Sequence, residues 1–170
     1  ESLKPYAFLV HFLFSVGCRP SEALALTWRD VENGVICFNK TFNQLGLKKG
    51  LKTQEKRVIK QNQQVRELIK SIKAGRRGGI NDRNVLIFPS PKANKYIDWS
   101  NFSNKPWKRV FESLPDITYR NPYQTRHTFI TLALKNDVSI QDLARHCGNS
   151  PETILKHYAG VDRSFVMPVF

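Results

Sequence analysis

Tyr123 and Arg126 stand three residues apart, just after Asn121 and Pro122, which have the residue types of a helix N-cap and first helical position. That spacing puts both side chains on one helix face, close to an N-terminus whose unpaired amides favour anions. The pair outlines a phosphate site. The plainer alternative is a solvated surface carrying Arg126 and His127. Further along, Tyr158 follows Ile154 and Leu155 at helical spacing, and by pattern alone it is a packed tyrosine with a bonded hydroxyl. Lys48, Lys49, Lys52 and Lys56 form a basic cluster that a solvated face would also explain. Glu22 reads equally as a favourable charge in a first helical turn and as a partner that orients an arginine such as Arg19. His157 is adjacent to Tyr158, so it points elsewhere and reads as a surface residue.

The elements that would position these groups are mainly helical. Leu3 to Ser15 is apolar and aromatic and stops at Gly17. Pro20 suits the first position of a second helix, with Leu24, Trp28 and Val31 on one buried face. From Gly34 the pattern turns β-like: Val35 to Phe38 is matched by Arg57 to Ile59, with Gly46 and Gly50 between them, which predicts a small antiparallel sheet with Lys52 and Thr53 on or beside its second strand. Gln63 to Ala74 predicts a helix with Val65, Leu68, Ile69 and Ile72 on its apolar stripe. A Gly- and Arg-rich loop spans residues 75–83, followed by the short apolar run Val85 to Phe88. Helices are then expected over Phe102 to Leu114, with Trp107, Val110, Phe111 and Leu114 inward and Pro106 as an alternative start, and from Asn121 to about Lys135. Two more are expected from Ser139 to Gly148 and from Ser150 and Pro151 to Tyr158. The tail from Gly160 to Phe170 carries Phe165, Val166, Val169 and Phe170 and is expected to dock on this or another subunit. One α+β domain over residues 1–170, mainly α with a small antiparallel β-sheet, is the fold class.

With 27 Lys and Arg against 14 Asp and Glu, the chain carries a formal +13, a field that gathers polyanions before any specific contact forms. No run of about 18 apolar residues is present, and His11 interrupts the apolar stretch near the N-terminus, so nucleic acid is favoured over a membrane. Cys18, Cys37 and Cys147 are odd in number and widely spaced, which suits neither a disulfide framework nor a paired zinc site. A reducing intracellular, cytoplasmic setting is expected, and no cofactor or metal. The chain opens at Glu1 and its one methionine is Met167, so it is expected to be part of a longer protein.

Taken together, these residues resemble the tyrosine recombinase and phage integrase family. Its catalytic domain carries an arginine in a G-x-R-x-x-E setting, a lysine in a β-hairpin, an H-x-x-R-H helix, and a G-H-S turn followed by a tyrosine. Here the elements read Gly17-Cys18-Arg19-Pro20-Ser21-Glu22, Lys52-Thr53 with Arg57-Val58, Tyr123-Gln124-Thr125-Arg126-His127-Thr128-Phe129, and Gly148-Asn149-Ser150 with Tyr158 ten residues after the glycine. The resemblance runs over nearly the whole chain. It implies that Tyr158 attacks a DNA phosphate to form a 3′-phosphotyrosyl bond, with Arg19 and Arg126 holding the phosphate and Lys52 protonating the departing 5′-hydroxyl. It also implies double-stranded DNA as partner, four protomers on two DNA sites, and an additional N-terminal DNA-clamping domain.

Such residues suit the chemistry. A phenol of pKa near 10 needs roughly 4 kcal/mol of differential stabilisation, or a proton acceptor, to become a nucleophile at neutral pH. Guanidinium forks match phosphate oxygens and stay charged. Two positions depart from the family pattern: Tyr123 stands where the first histidine is usual, and Asn149 where histidine or tryptophan follows the glycine. Tyr123 can donate a hydrogen bond to a phosphoryl oxygen but is a poorer base than imidazole, and Asn149 can donate from its amide. The expectation is therefore an active but slower or pH-shifted enzyme, with a degenerate recombinase as an alternative. The other rival is a DNA-binding regulator, because Ser139 to Tyr158 also fits a helix-turn-helix.

Overall fold

The computed structural model describes residues 4–52, 56–76, 82–91, 95–158 and 160. Helix α1 (Lys4–Val16) is buried along Leu9, Phe12, Leu13 and Val16 and ends at Gly17, whose φ of 65° is the left-handed conformation that glycine tolerates best. A Cβ there would lie 2.1 Å from the Phe129 ring, so the glycine also admits a close approach by a distant helix.

Helix α2 (Pro20–Ala25) is shorter than expected. Leu26 turns extended, and Trp28–Asp30 forms a separate 3₁₀ turn instead of continuing the face through Trp28 and Val31. The cause is local and tertiary at once. Asp30 Oδ2 accepts hydrogen bonds from Thr27 N (2.8 Å) and Thr27 Oγ1 (2.6 Å), which caps a new turn. Leu26 and Trp28 meanwhile exchange backbone bonds with Ile87 and Val85, the apolar run noted in the sequence.

Four strands follow: β1 (Val35–Phe38), β2 (Lys40–Asn43), β3 (Gly46–Lys49) and β4 (Arg57–Lys60). They form two antiparallel ladders, β1 with β4 and the hairpin β2 with β3. The β1–β4 pairing is the expected one; the hairpin fills the segment between Phe38 and Gly50. In β4 the alternating burial places Arg57 and Ile59 inward, while Lys60 opposite Val35 fixes the register.

Helix α3 (Gln63–Ala74), capped by Asn62, buries the expected Val65, Leu68, Ile69 and Ile72 against α1. Helix α4 (Trp99–Phe102) starts earlier than expected because Asp98 caps it. It passes Pro106 through a π turn, Ser103–Trp107, into α5 (Lys108–Glu112). Proline removes a backbone donor, and the wider turn absorbs the loss. Val110 and Leu114 do not point inward as expected: they are 42% and 41% exposed, Leu114 lying beyond the end of α5 at Glu112, while Trp107 and Phe111 are half-buried.

The C-terminal helices are α6 (Gln124–Lys135), α7 (Ile140–Cys147) and α8 (Pro151–Tyr158). Asn121 does not cap α6 directly. Its Oδ1 accepts from Tyr123 N, and residues 121–123 make a turn that leads into the helix. Ser139 caps α7 as expected, and Gly148 ends it with φ 69°. These helices have a core of their own around Ile130, Leu134, Leu143, Cys147 and Ile154, which meets the first core where Phe129 covers Gly17 and His146 Nε2 bonds Val16 O. The apolar tail and Thr53 lie outside the described residues. Among the described residues no helix is long and apolar enough to cross a membrane, and no cluster of His, Cys, Asp and Glu has metal-site geometry.

Candidate active site

Arg19 ends the loop after α1 and occupies the N-cap of α2, so its place is set by Gly17 and Pro20 on either side. Glu22, one helical turn later, accepts from Arg19 N at 2.9 Å and from Arg19 Nη1 at 3.1 Å. Arg19 Nη2 crosses to the C-terminus of α7, donating to Gly148 O at 2.7 Å and Asn149 Oδ1 at 3.1 Å. Arg126 approaches the same point from α6. It donates to Gly17 O (2.7 Å), Cys147 O (2.9 Å) and Asn149 Oδ1 (2.9 Å), and it is only 2% exposed. The solvated-surface alternative for Arg126 is thereby excluded.

Both arginines share one acceptor, Asn149 Oδ1. Two cationic donors on one side of the amide require its oxygen there, which turns Asn149 Nδ2 the other way. Among the described residues, each guanidinium places three of its five N–H donors on these partners. The arginines are thus pre-set by protein carbonyls. Positive charge concentrated this way is a site for an anion.

Sequence reasoning missed Arg57 as a member of this network. Its Nη1 and Nη2 donate to Glu22 Oε1 (3.1 Å) and Oε2 (2.7 Å), a bidentate pair with both side chains buried. The guanidinium lies 4.6 Å from the Phe38 ring centroid, opposite it in the ladder, and a Cβ on Gly148 would come within 2.3 Å of Arg57 Nη1. Burial favours the neutral carboxyl of Glu22, but hydrogen bonds and charge from Arg57, then Arg19, outweigh it and hold the group below the usual carboxylate range. Glu22 is therefore the partner that orients Arg19, and it acts with Arg57. The available signal was the alternation in β4, which places Arg57 on the same face as Ile59.

Glu22→Gln should leave Arg57 buried without its counter-charge and cost about 3 kcal/mol in urea unfolding at pH 7. The wild-type contribution is full above the unfolded carboxylate pKa of about 4.3 and is lost as pH falls through the lowered folded value. The variant should accordingly show a shallower fall in stability below about pH 4.3. An unchanged acid limb would contradict this assignment.

Tyr158, at the end of α8, is half-buried and its hydroxyl lies 2.5 Å from His127 Nδ1. Burial raises its pKa, only partly offset by Arg126. In the sequence His127 matches the final histidine of the H-x-x-R-H pattern but carries no assigned role, and its plainer reading is a surface residue. It is half-buried between Tyr158 and Tyr123, with ring centroids 5.7 and 5.6 Å away. Tyr123 is 37% exposed and lines an open groove of about 990 Å³ together with Arg19, Ser21, Asn43, Trp99 and Asn121. His157 is exposed, as expected. Lys52 is exposed in the bend before the residues 53–55 that are not described, and among the described residues no hydrogen bond or ion pair joins it to the arginines.

Arg19, Glu22, Arg126 and Asn149 thus converge, with Tyr158 beside them through His127; Lys52 is the expected member that the described contacts leave outside. The helix-turn-helix alternative finds its two helices in α7 and α8, but the turn residue Asn149 faces inward to the arginines.

The sequence profile of the phage integrase family matches residues 2–164. Among curated proteins none matches. Among solved structures, the Tn1549 transposon integrase in complex with circular intermediate DNA has 19% identity and a TM-score of 0.76, covering 91% of this chain and 54% of its own. The XerA recombinase has 18% identity and a TM-score of 0.68, with coverage of 96% and 59%. The XerH site-specific recombinase bound to a difH substrate has 20% identity and a TM-score of 0.62, with coverage of 94% and 46%. The chain therefore spans about half the length of these structures, and its fold is that of tyrosine recombinase catalytic domains, the α+β class expected.

Proposed function

The chain belongs to the phage integrase family, and we propose that it cuts and rejoins double-stranded DNA at specific sites through a covalent 3′-phosphotyrosyl intermediate. The observation that carries this reading is the meeting of Arg19 and Arg126 at Asn149 Oδ1, with the Tyr158 phenol on the neighbouring helix. A scissile phosphate entering this site receives donors from both guanidiniums. The negative charge that grows on the phosphoryl oxygens during attack then sits beside two fixed positive charges. Tyr123, at the edge of the groove, can add a neutral hydrogen bond, while Asn149 holds the two arginines through its Oδ1.

In the reaction, Tyr158 oxygen bonds to phosphorus and the 5′-oxygen departs with a proton from Lys52 as general acid. Attack by another 5′-hydroxyl reverses the step. The covalent link conserves the phosphodiester energy, so the scheme needs no nucleotide cofactor or metal. The reading extends to four protomers on two DNA sites, acting with an N-terminal clamping domain. Work on DNA, together with free Cys18, Cys37 and Cys147, supports an intracellular setting.

Two measurements test it. Mixed with a pool of nicked duplexes of randomised sequence, the protein should yield a protein–DNA adduct that survives a denaturing gel; tight binding with no adduct would indicate a regulator. Neutralisation of about six phosphates by the basic surface predicts a slope near −5 for log K against log salt. A flat response would remove DNA as the partner.

A further inference from the structure

Tyr158 cannot attack phosphorus while it keeps its proton, and its half-buried setting holds that proton more firmly than water would. The nearest acceptor is His127 Nδ1, 2.5 Å from the hydroxyl and well within proton-transfer distance. His127 follows Arg126 directly on α6, about 100° further round the helix. One residue therefore faces the buried arginine cluster and the next faces α8. Tyr123, in the turn that leads into α6, lies against the His127 ring, and no described hydrogen bond joins it to Tyr158.

We propose that His127 is a catalytic residue, the general base that takes the Tyr158 proton as the tyrosyl–phosphate bond forms. The proposal rests on Tyr158 being the nucleophile. The O–H bond of Tyr158 breaks, its proton passes to Nδ1, and the freed electron pair makes the bond to phosphorus. The bond from phosphorus to the 5′-oxygen breaks, and that oxygen takes its proton from the general acid. In rejoining, the imidazolium returns the proton to the phenol oxygen.

The surroundings fit a base that is neutral at rest. Facing His127 are Arg126 from its own helix, Tyr123 from the N-cap of that helix, and His157 and Tyr158 from α8. Burial first, then Arg126 and His157, hold the imidazole pKa below its usual value. With Nδ1 as acceptor, the neutral ring carries its hydrogen on Nε2. Tyrosine in the Tyr123 position is a poorer base than imidazole near pH 7, which leaves this role to His127.

The test measures adduct formation on randomised nicked duplexes carrying a 5′-bridging phosphorothiolate, whose thiolate leaves without an acid, so the rate reports the attack. His127→Ala should slow the adduct by roughly 10²–10⁴-fold at pH 7, with binding in a gel-shift assay unchanged. Wild-type rate should rise with pH to a plateau above the His127 pKa, whereas the variant should keep rising toward the phenol pKa. Added imidazole should restore part of the His127→Ala rate. His127→Gln, which keeps bulk and polarity, should be equally slow.

A variant that forms adduct at the wild-type rate, or faster, would overturn the proposal. In the faster case the hydrogen bond is a latch that restrains Tyr158. Loss of rate in both variants without imidazole rescue and with the wild-type pH profile would also overturn it. Tyr158→Phe separates the two levels. If that variant still forms adduct, the nucleophile assignment fails; if it does not, and His127→Ala forms adduct at the wild-type rate, only the base assignment fails.

Discussion

Tyr158→Phe should abolish covalent capture of DNA while leaving the fold and the binding of DNA in place. The substitution removes one oxygen and keeps the ring that packs on the C-terminal core with Ile154. In the structure that oxygen has His127 as its hydrogen-bond partner, so the stability lost is about 1 kcal/mol, the ordinary net worth of such a bond. The chemical loss is total, because phenylalanine has no nucleophile to offer. A denaturing gel reads the adduct, and a thermal melt with a gel-shift assay shows that the variant is folded and binds. Adduct formation by this variant would move the nucleophile to another residue. Cys18 and Cys147 are poor substitutes: both are buried, and burial pushes their thiols up and away from thiolate.

Arg126→Lys should lower adduct formation by roughly 10²–10³-fold, as expected when a transition-state donor is removed. Lysine keeps the charge, so a charge-only account would predict a small effect. The structure argues otherwise, because Arg126 uses its fork to tie Gly17 O, Cys147 O and Asn149 Oδ1 together across three segments. A lysine ammonium cannot reach all three and still present paired donors to a phosphate. Leaving buried carbonyls without partners adds about 1–3 kcal/mol of destabilisation, visible in urea unfolding. Rates compared well below the variant's unfolding midpoint separate the two effects. A near wild-type rate in a folded Arg126→Lys protein would mean that Arg126 is structural and the phosphate sits elsewhere.

The helices were legible where apolar spacing and end signals agreed. The stripe of α3, the Ser139 cap and Gly148 stop of α7, and Pro151 at the start of α8 all stand as read. Local patterns failed where a distant segment or an early helix end intervened. Trp28 and Val31 kept helical spacing after Leu24, but Thr27 and Asp30 close a separate turn and the 85–87 run claims the backbone. Beyond Pro106, α5 ends at Glu112, so Leu114 leaves the face its spacing implied and Val110 lies exposed on a short helix.

The site shows the same division. Arg19, Glu22, Arg126, His127 and Tyr158 lie in short stretches whose residue types match a family pattern, and Asn149 is placed by the Gly148–Ser150 turn although its type departs from that pattern. What Arg57 and His127 do depends on contacts across 35 and 31 residues. A charged residue in an alternating strand is ordinarily turned to solvent, and only the buried carboxylate of Glu22 explains why Arg57 is not. His127 gains its meaning only when α8 lies beside α6.

The account as a whole requires that two guanidiniums act on a single phosphodiester. A crystal structure of Tyr158→Phe with a duplex recovered from the adduct-forming pool reads this directly. The account predicts Arg19 and Arg126 both within hydrogen-bond distance of non-bridging oxygens of one phosphate, with the residue 158 ring on the side opposite the 5′-oxygen. Arginines on two different phosphates, or one of them still closed on protein carbonyls with no contact to DNA, would contradict it.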